Sequence, residues 1–474
     1  MKIVLIHPAG SNWIPGKKDI TATANRMAPI GILSIAAFLE KNGHKVFVYD
    51  CYGPKASSRI QSNVTEILKY QPDIVGFSTT TSGFPNGYEI ATVLKEANPE
   101  IQTIFGGPHI SAMGGALLEK YENIDLLCVG EGELTFSEVA NGKPLRLIDG
   151  IVFRDDGQVV TNSVRSYIND LDTLPFPAYE KLAGFPKKYH LPLFSYILKP
   201  GATMITSRGC PYQCSFCDRS VFKNKFRYNS AEYIYDHICH LNKSFKVQHI
   251  IIYDDLFTTK RDRIIELCEL LIKKPLKMNF NCMVRAEHID DELLFFLKQA
   301  GFLQLSIGIE SGDPEVLQSI KPGVNMETVR QDITKIQAHG LRAKGLFIMG
   351  LPGETETTIQ KTSDFAVSLE LDDMNMSKFA PFYGAPVWKS ITEFGTLDND
   401  WEKMNCLNFV FVPHGVASSE RLDQLYNEHV KRFYSDPKWR KKFKERIWEH
   451  RNSLLYMLFH LPSLLSAKRT FEPK

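Results

Sequence analysis

The stretch Ala202-Thr-Met-Ile-Thr-Ser-Arg-Gly-Cys210-Pro-Tyr-Gln-Cys214-Ser-Phe-Cys217 decides how this chain is read. Its first residues, ATMITS, are a short, mostly apolar run that predicts a strand. The chain then turns at Ser207-Arg208-Gly209 and presents a C-x3-C-x2-C triplet. Thiolates at these spacings on one loop can converge on one face of an iron–sulfur cluster. Three ligands instead of four leave one iron without a protein ligand, and an open position is what a catalytic metal needs. Nine cysteines in 474 residues give such a triplet by chance in roughly 0.003 of chains of this composition. A zinc knuckle is the competing reading, but no fourth Cys or His stands at an obvious spacing.

Downstream of the triplet a strand–helix rhythm continues. HIIIYD, MNFNCM, QLSIGIE, AKGLFIMG and NMSKFAPF read as further strands separated by helical patterns. With ATMITS they make six, two short of a closed eight-unit barrel, so an open partial (β/α)6 barrel is expected over 201–395. The remainder, 396–474, reads as a helical C-terminal region that is basic and aromatic.

Upstream, the same rhythm runs through about 1–145. The strands are KIVLI, KVFVYD, DIVGFSTT, TIFGGPH and LLCVGEGE, with helices between them, one opened by Pro29 and Gly31 and stopped at Asn42-Gly43. This βαβ series predicts a doubly wound sheet, and ligands of such sheets sit outside the carboxyl ends of the strands. The residues placed there are small, polar or glycine: Ser78-Thr79-Thr80, Gly106-Gly107-Pro108-His109 and Gly130-Glu131-Gly132-Glu133. They let a large ligand approach the backbone. His109 reads equally well as a satisfied loop histidine. Residues 146–200 hold a hairpin with Asp156-Gly157 at its turn, then a Pro-rich stretch, and are expected to be a surface linker.

Composition narrows the class. Hydrophobic residues are 43% and charged residues 23%, a globular mixture that excludes disorder and fibrous repeats. The formal net charge of +2 provides no global field for nucleic acid, which is not an expected partner. No run of 18 apolar residues is present and the first apolar run is too short for a signal peptide, so a cytoplasmic location is expected.

The triplet, with Phe216 before its last cysteine, resembles the signature of the radical S-adenosylmethionine enzymes. The resemblance spans Ala202 to about Pro386. It implies a [4Fe-4S] cluster held by Cys210, Cys214 and Cys217, with S-adenosylmethionine chelated to the fourth iron and cleaved on one-electron reduction to a radical that abstracts a substrate hydrogen. An external electron donor of the ferredoxin or flavodoxin type is implied as well. Phe216 counts among the family's S-adenosylmethionine-binding positions, and further positions resemble its contacts: Asp254 and Asp255 for the amino group, Arg285 for the carboxylate, Gly308, Glu310 and Ser311 for ribose and amino group, and Gly350 and Pro352 near the adenine. Read locally, Asp255 also suits a helix N-cap.

A flavodoxin-like domain ahead of such a barrel resembles the cobalamin-binding class. The resemblance implies that Ser78, Thr79, Thr80, Gly106, Gly107, His109, Gly130, Glu131, Gly132 and Glu133 hold cobalamin. The Asp-x-His-x-x-Gly motif that ligates cobalt in many cobalamin proteins is absent, so no axial ligand is assigned. The implied reaction is C-methylation of an unactivated carbon, cobalamin relaying the methyl group. A non-methylating radical cyclisation is the alternative within the class. A non-catalytic cobalamin or iron–sulfur sensor is the alternative outside it. The tail, with Trp439, Trp448, Phe433 and Phe443 among its bases, reads either as a helix packed on the barrel or as an interfacial helix touching anionic lipid. The second reading gives peripheral membrane contact and a hydrophobic substrate, such as a lipid, isoprenoid or tetrapyrrole.

Overall fold

Lys2–His7 (β1), whose four central residues are buried, is the second strand of the first, seven-stranded sheet in the computed structural model. The structure describes residues 1–10 and 26–461. The end of the expected helical tail, 462–474, lies outside the described residues, as do 11–25 of the first expected domain.

Chain and contacts divide into two compact units. The first comprises Met1–Pro192, Asp218–Arg227 and the residues from Phe459; the second comprises Leu193–Cys217 and Tyr228–Leu458. In the first unit Ile30–Lys41 (α1) leads to Lys45–Asp50 (β2), Ile60–Leu68 (α2) to Ile74–Ser78 (β3), and Phe84–Ala97 (α3) to Gln102–Gly106 (β4). Pro108–Met113 (α4) and Ala116–Lys120 (α5) precede Leu126–Cys128 (β5), and Gly132–Ala140 (α6) follows it. The strand order β2-β1-β3-β4-β5, all parallel, is that of a flavodoxin-like sheet with its switch point between β1 and β3. Ile3, Leu5, Ala36, Leu39, Ile104 and Phe136 pack into one of its cores.

The hairpin expected in a surface linker belongs to this sheet instead. Ile151–Asp155 (β6) pairs antiparallel with β5, and Gln158–Thr161 (β7) closes the edge. Ile151, Val152 and Phe153 are buried, because β6 has the buried neighbour β5 to cover. The antiparallel addition also shields an otherwise open parallel edge.

The second unit is built from Gly201–Met204 (β8), Ala231–Phe245 (α7), His249–Ile252 (β9), Arg261–Lys273 (α8), Asn279–Val284 (β10), Asp291–Gln299 (α9) and Phe302–Glu310 (β11). Pro314–Ile320 (α10), Met326–Ala338 (α11), Arg342–Met349 (β12), Glu356–Ser368 (α12) and Asp373–Lys378 (β13) complete it. Each strand lies beside its predecessor and all six are parallel, the open partial barrel that the six runs predict. Gly395–Leu397 and Phe411–Pro413 then form a small antiparallel pair. The described tail is helical, as Ser419–Ser435 (α13), Pro437–Glu445 (α14) and Arg451–Phe459 (α15).

The units start their helices differently. In the second, Ser230, Asp290, Asp313, Asn325, Thr355, Ser418 and Asp436 cap α7, α9, α10, α11, α12, α13 and α14 through side-chain oxygens. None of α1–α6 has a side-chain cap.

Candidate functional site

Asp254 stands just after β9 and is fully buried. It accepts hydrogen bonds from the backbone N–H and hydroxyl of Thr206, both at 2.5 Å, and from Ser207 N–H at 3.1 Å. Arg263 of α8 donates to Thr206 O at 3.0 Å and lies 3.7 Å from Asp254. Asp254 therefore anchors the turn that launches the cysteine loop. This corrects its assignment as an ammonium acceptor, because its oxygens are already used inside the protein. Asp255 is the available carboxylate. Water reaches it, yet burial among protein atoms raises its pKa, with Asp254 adding and the Gly209 N–H opposing.

None of the nine cysteines is in a disulfide. Cys210 and Cys214 are partly buried and Cys217 is exposed. Burial raises the pKa of Cys210, with Asp255 adding and Arg285 opposing. It raises that of Cys214 as well, where Lys321 and Arg285 oppose and Glu310 adds. The fold thus brings Asp255, Arg285, Glu310 and Lys321 within electrostatic reach of the two thiols.

These charged groups are held in place. Arg285, after β10, gives Nε and Nη2 to Glu287 at 2.9 and 3.3 Å and lies 3.8 Å above the Tyr212 ring, inside the cysteine loop. Tyr212 OH meets His288 Nε2 at 2.7 Å, and His288 Nδ1 meets Thr258 Oγ1 at 3.3 Å. Glu310 ends β11 with φ +66°, at a register shift against β12. Such a backbone is strained for a side chain with a Cβ and persists only where its surroundings enforce it. Lys321 enforces it, with Nζ 3.0 Å from Glu310 Oε1 and 2.6 Å from Gly308 O. A Cβ on Gly308 would lie 2.5 Å from that same Oε1, so a side chain there would push the carboxylate from its present place. Sequence reading missed Lys321, which stands eleven residues beyond Glu310 and reaches it only through the turn of α10. It also missed Glu287 and His288, although they stand two and three residues after the Arg285 it singled out.

The other assigned positions divide. Ser311 is fully buried, accepts from Asp313 N–H at 3.2 Å and meets Thr362 Oγ1 at 3.3 Å. It shapes the start of α10, which corrects its reading as a ligand contact. Gly350 and Leu351 donate their N–H groups to Glu354 at 2.7 and 2.9 Å, and desolvation raises the buried Glu354 to about 8. Phe216 packs against Val316, Ile320 and Leu351. Pro352 lines a cleft of about 460 Å³ together with Ser215, Ile320 and Val387.

In the first unit, Thr79 is buried and bonds Gly106 O through N–H at 2.9 Å and Oγ1 at 3.2 Å. Gly107 has φ +99°, and a Cβ there would stand 2.6 Å from Thr79 O, so the loop cannot carry a larger residue. His109 is buried, 3.2 Å from Thr81 Oγ1 and packed on Phe84; desolvation lowers it to about 4. Glu131 is buried against Arg227 Nη1 at 2.8 Å and accepts from Ile168 N–H at 3.0 Å. Glu133 is buried and accepts from Ser34 at 2.8 Å. Gly132 starts α6 against Ile35. Thr79, His109, Glu131 and Glu133 thus support these loops from inside, while Gly132 is partly exposed. Ser78, Thr80, Gly106, Gly107 and Gly130 leave small strand ends, a surface that fits a broad planar ligand. One further residue stands at the end of β1: His7, whose Nδ1 lies 3.0 Å from Asp50 Oδ1, with Tyr189 OH 2.9 Å from the other oxygen.

The donor chemistry fits an iron–sulfur cluster: three thiols on one loop, outside any disulfide, with cations beside them. Among the described residues no three His, Cys, Asp or Glu side chains converge to hold a single metal ion.

Comparison with known proteins agrees with this arrangement. A family model described as the radical SAM superfamily matches residues 204–366, and one described as a B12 binding domain matches 16–140. An uncharacterized methyltransferase of Pyrococcus horikoshii is 28% identical over 92% of this chain and 93% of its own. The anaerobic magnesium-protoporphyrin IX monomethyl ester cyclase of Rubrivivax gelatinosus is 26% identical over 92% of this chain and 77% of its own. The fold is shared with the radical S-adenosylmethionine methyltransferase TsrM of Kitasatospora setae, solved with cobalamin and a [4Fe-4S] cluster bound. Its TM-score is 0.68 at 18% identity, covering 90% of this chain and 85% of that one. With a cysteine-bearing partial barrel and a flavodoxin-like sheet each matched by its own family model, the chain belongs to the cobalamin-binding radical S-adenosylmethionine enzymes.

Proposed function

We propose that this enzyme methylates an unactivated carbon of a hydrophobic substrate, using a [4Fe-4S] cluster, S-adenosylmethionine and cobalamin. The observation that carries the reading is the thiol loop with its ring of held charges: Cys210 and Cys214 within reach of Asp255, Arg285, Glu310 and Lys321. When bound, the cluster and S-adenosylmethionine supply the one-electron chemistry that opens an inert C–H bond, and cobalamin supplies a transferable methyl group. In this reading Cys210, Cys214 and Cys217 hold the cluster. Asp255 and Glu310 accept hydrogen bonds from the amino group and ribose of S-adenosylmethionine. Arg285, fixed by Glu287 and Tyr212, offers its remaining nitrogen to the carboxylate. Phe216 and Pro352 form apolar wall near the adenine. Ser78, Thr80, Gly106, Gly107 and Gly130 line the corrin. An external one-electron donor of the ferredoxin or flavodoxin class completes the system.

The cyclase relative supports a second reading, radical cyclisation without methyl transfer. Anaerobic reconstitution with iron, sulfide and cobalamin, followed by S-adenosylmethionine and a strong reductant, separates the two. Methylation yields S-adenosylhomocysteine alongside 5′-deoxyadenosine. With cobalamin bound, 5′-deoxyadenosine alone selects the cyclisation, and no cleavage at all selects a non-catalytic sensor.

A further inference from the structure

The last described helix, α15, is anchored by polar groups beside half-buried Leu454, Tyr456 and Met457. Ser453 is fully buried and accepts from Phe194 N–H at 2.9 Å, and Asn452 donates to Ile197 O at 2.7 Å. The solvent side of the helix is apolar. Leu455, Leu458 and Phe459, spaced to share one face, are 47%, 66% and 81% exposed. Trp448, in the turn before the helix, is 79% exposed, and Ile447 beside it is exposed too. A surface helix of a globular protein normally buries such a face, so a set of exposed large apolar side chains points to a partner phase.

The charge of the same stretch of chain points to that phase. Between Pro437 and Leu461 there are seven Lys and Arg against two Glu. Those directed to the protein are matched: Arg446 pairs with Asp372 at 2.5 Å, Lys438 pairs with Glu370, and Lys442 donates to Glu370 O at 2.5 Å. The Trp439 ring, stacked on Phe443 and bonded to Asp372 O at 3.0 Å, fixes α14 in place. Arg440, Lys441, Lys444 and Arg451 are exposed, and among the described residues no carboxylate pairs with them. Arg440 and Arg451 donate only to the backbone oxygens of Tyr434 and Trp448.

We infer that α14, α15 and the turn between them form a peripheral docking surface for an anionic lipid bilayer. Trp448, Leu455 and Leu458 enter the headgroup–acyl boundary, and Arg440, Lys441, Lys444 and Arg451 meet the lipid phosphates. The buried polar anchors of α15 keep it docked while its apolar side faces outward. No helix among the described residues is long and apolar enough to cross a membrane, so the contact is interfacial. The inference stands apart from the methylation reading, since it uses none of the cofactor residues.

The test is flotation of the full-length protein with vesicles of phosphatidylcholine alone or of phosphatidylcholine with phosphatidylglycerol. The protein is expected to float with the anionic vesicles, with binding weakened by salt and at least tenfold weaker on the neutral ones. The double variants Trp448→Ser/Leu458→Ser and Lys441→Glu/Lys444→Glu, all at exposed positions, are each expected to lose at least tenfold in binding while keeping the parent's circular dichroism and melting temperature. Absence of flotation with anionic vesicles overturns the inference, and so does flotation that both variants leave intact. Light scattering that finds a dimer in the parent and a monomer in the Trp448→Ser/Leu458→Ser protein also overturns it, by assigning the face to a second copy of the chain.

Discussion

The carboxylate of Asp254 serves the Thr206 N–H, the Thr206 hydroxyl and the Ser207 N–H, with the Arg263 guanidinium 3.7 Å away. Asp254→Asn leaves that buried guanidinium without its counter-charge, and removing one partner of a buried pair costs about 3 kcal/mol. Urea unfolding should read that loss. Asp255→Asn should leave the urea midpoint close to the parent's and weaken S-adenosylmethionine binding at least tenfold. Adjacent residues at a strand end point to opposite sides, so two identical carboxylates in sequence have opposite surroundings in the fold. That is why the sequence located the pair without saying which member faces a ligand. The same limit applies to Glu310 and Ser311: both stand at the expected strand end, but one side chain meets Lys321 and the other turns into the start of α10. Lys321 had no local signal, because its relation to Glu310 exists only once α10 has folded.

At the scale of elements, the six barrel strands and five parallel strands of the first sheet were legible because each is a short apolar run followed by a polar or glycine end. The attachment of the β6–β7 hairpin was not, because its partner β5 is set by tertiary packing and the hairpin's own residues carry no mark of it. The turn from β12 into α12 makes a prediction of its own. Glu354 is buried, binds the N–H groups of Gly350 and Leu351, and has its pKa raised from 4.5 to about 8. A carboxyl with a folded pKa above its unfolded value binds more protons in the native state. Its contribution is fully present below about 4.5 and is lost as pH rises toward about 8. Stability of the parent should therefore fall between pH 5 and pH 8 more steeply than that of Glu354→Gln, which keeps an acceptor for the turn and cannot ionise. Urea midpoints for both proteins across that range measure the difference.

For the whole molecule, the cysteine loop and the small strand ends of the flavodoxin-like sheet lie on different compact units. Cys214→Ala should abolish the cluster's visible absorbance and all S-adenosylmethionine cleavage while leaving cobalamin binding within about twofold of the parent. Joint loss of both would show that the two sites do not form independently. The unequal capping of the helices has a consequence for the stability of the two units. Seven of the second unit's nine described helices are closed by its own Ser, Thr, Asp and Asn side chains, whereas α1–α6 begin without a side-chain oxygen on their first N–H groups. Cobalamin binding is then expected to add to the stability of the first unit. A ligand present at a hundred times its dissociation constant adds about 2.7 kcal/mol to whatever it binds. Protein freed of cobalamin is therefore expected to unfold at a lower urea midpoint than the loaded protein, and equal midpoints would show that this unit gains nothing from the ligand.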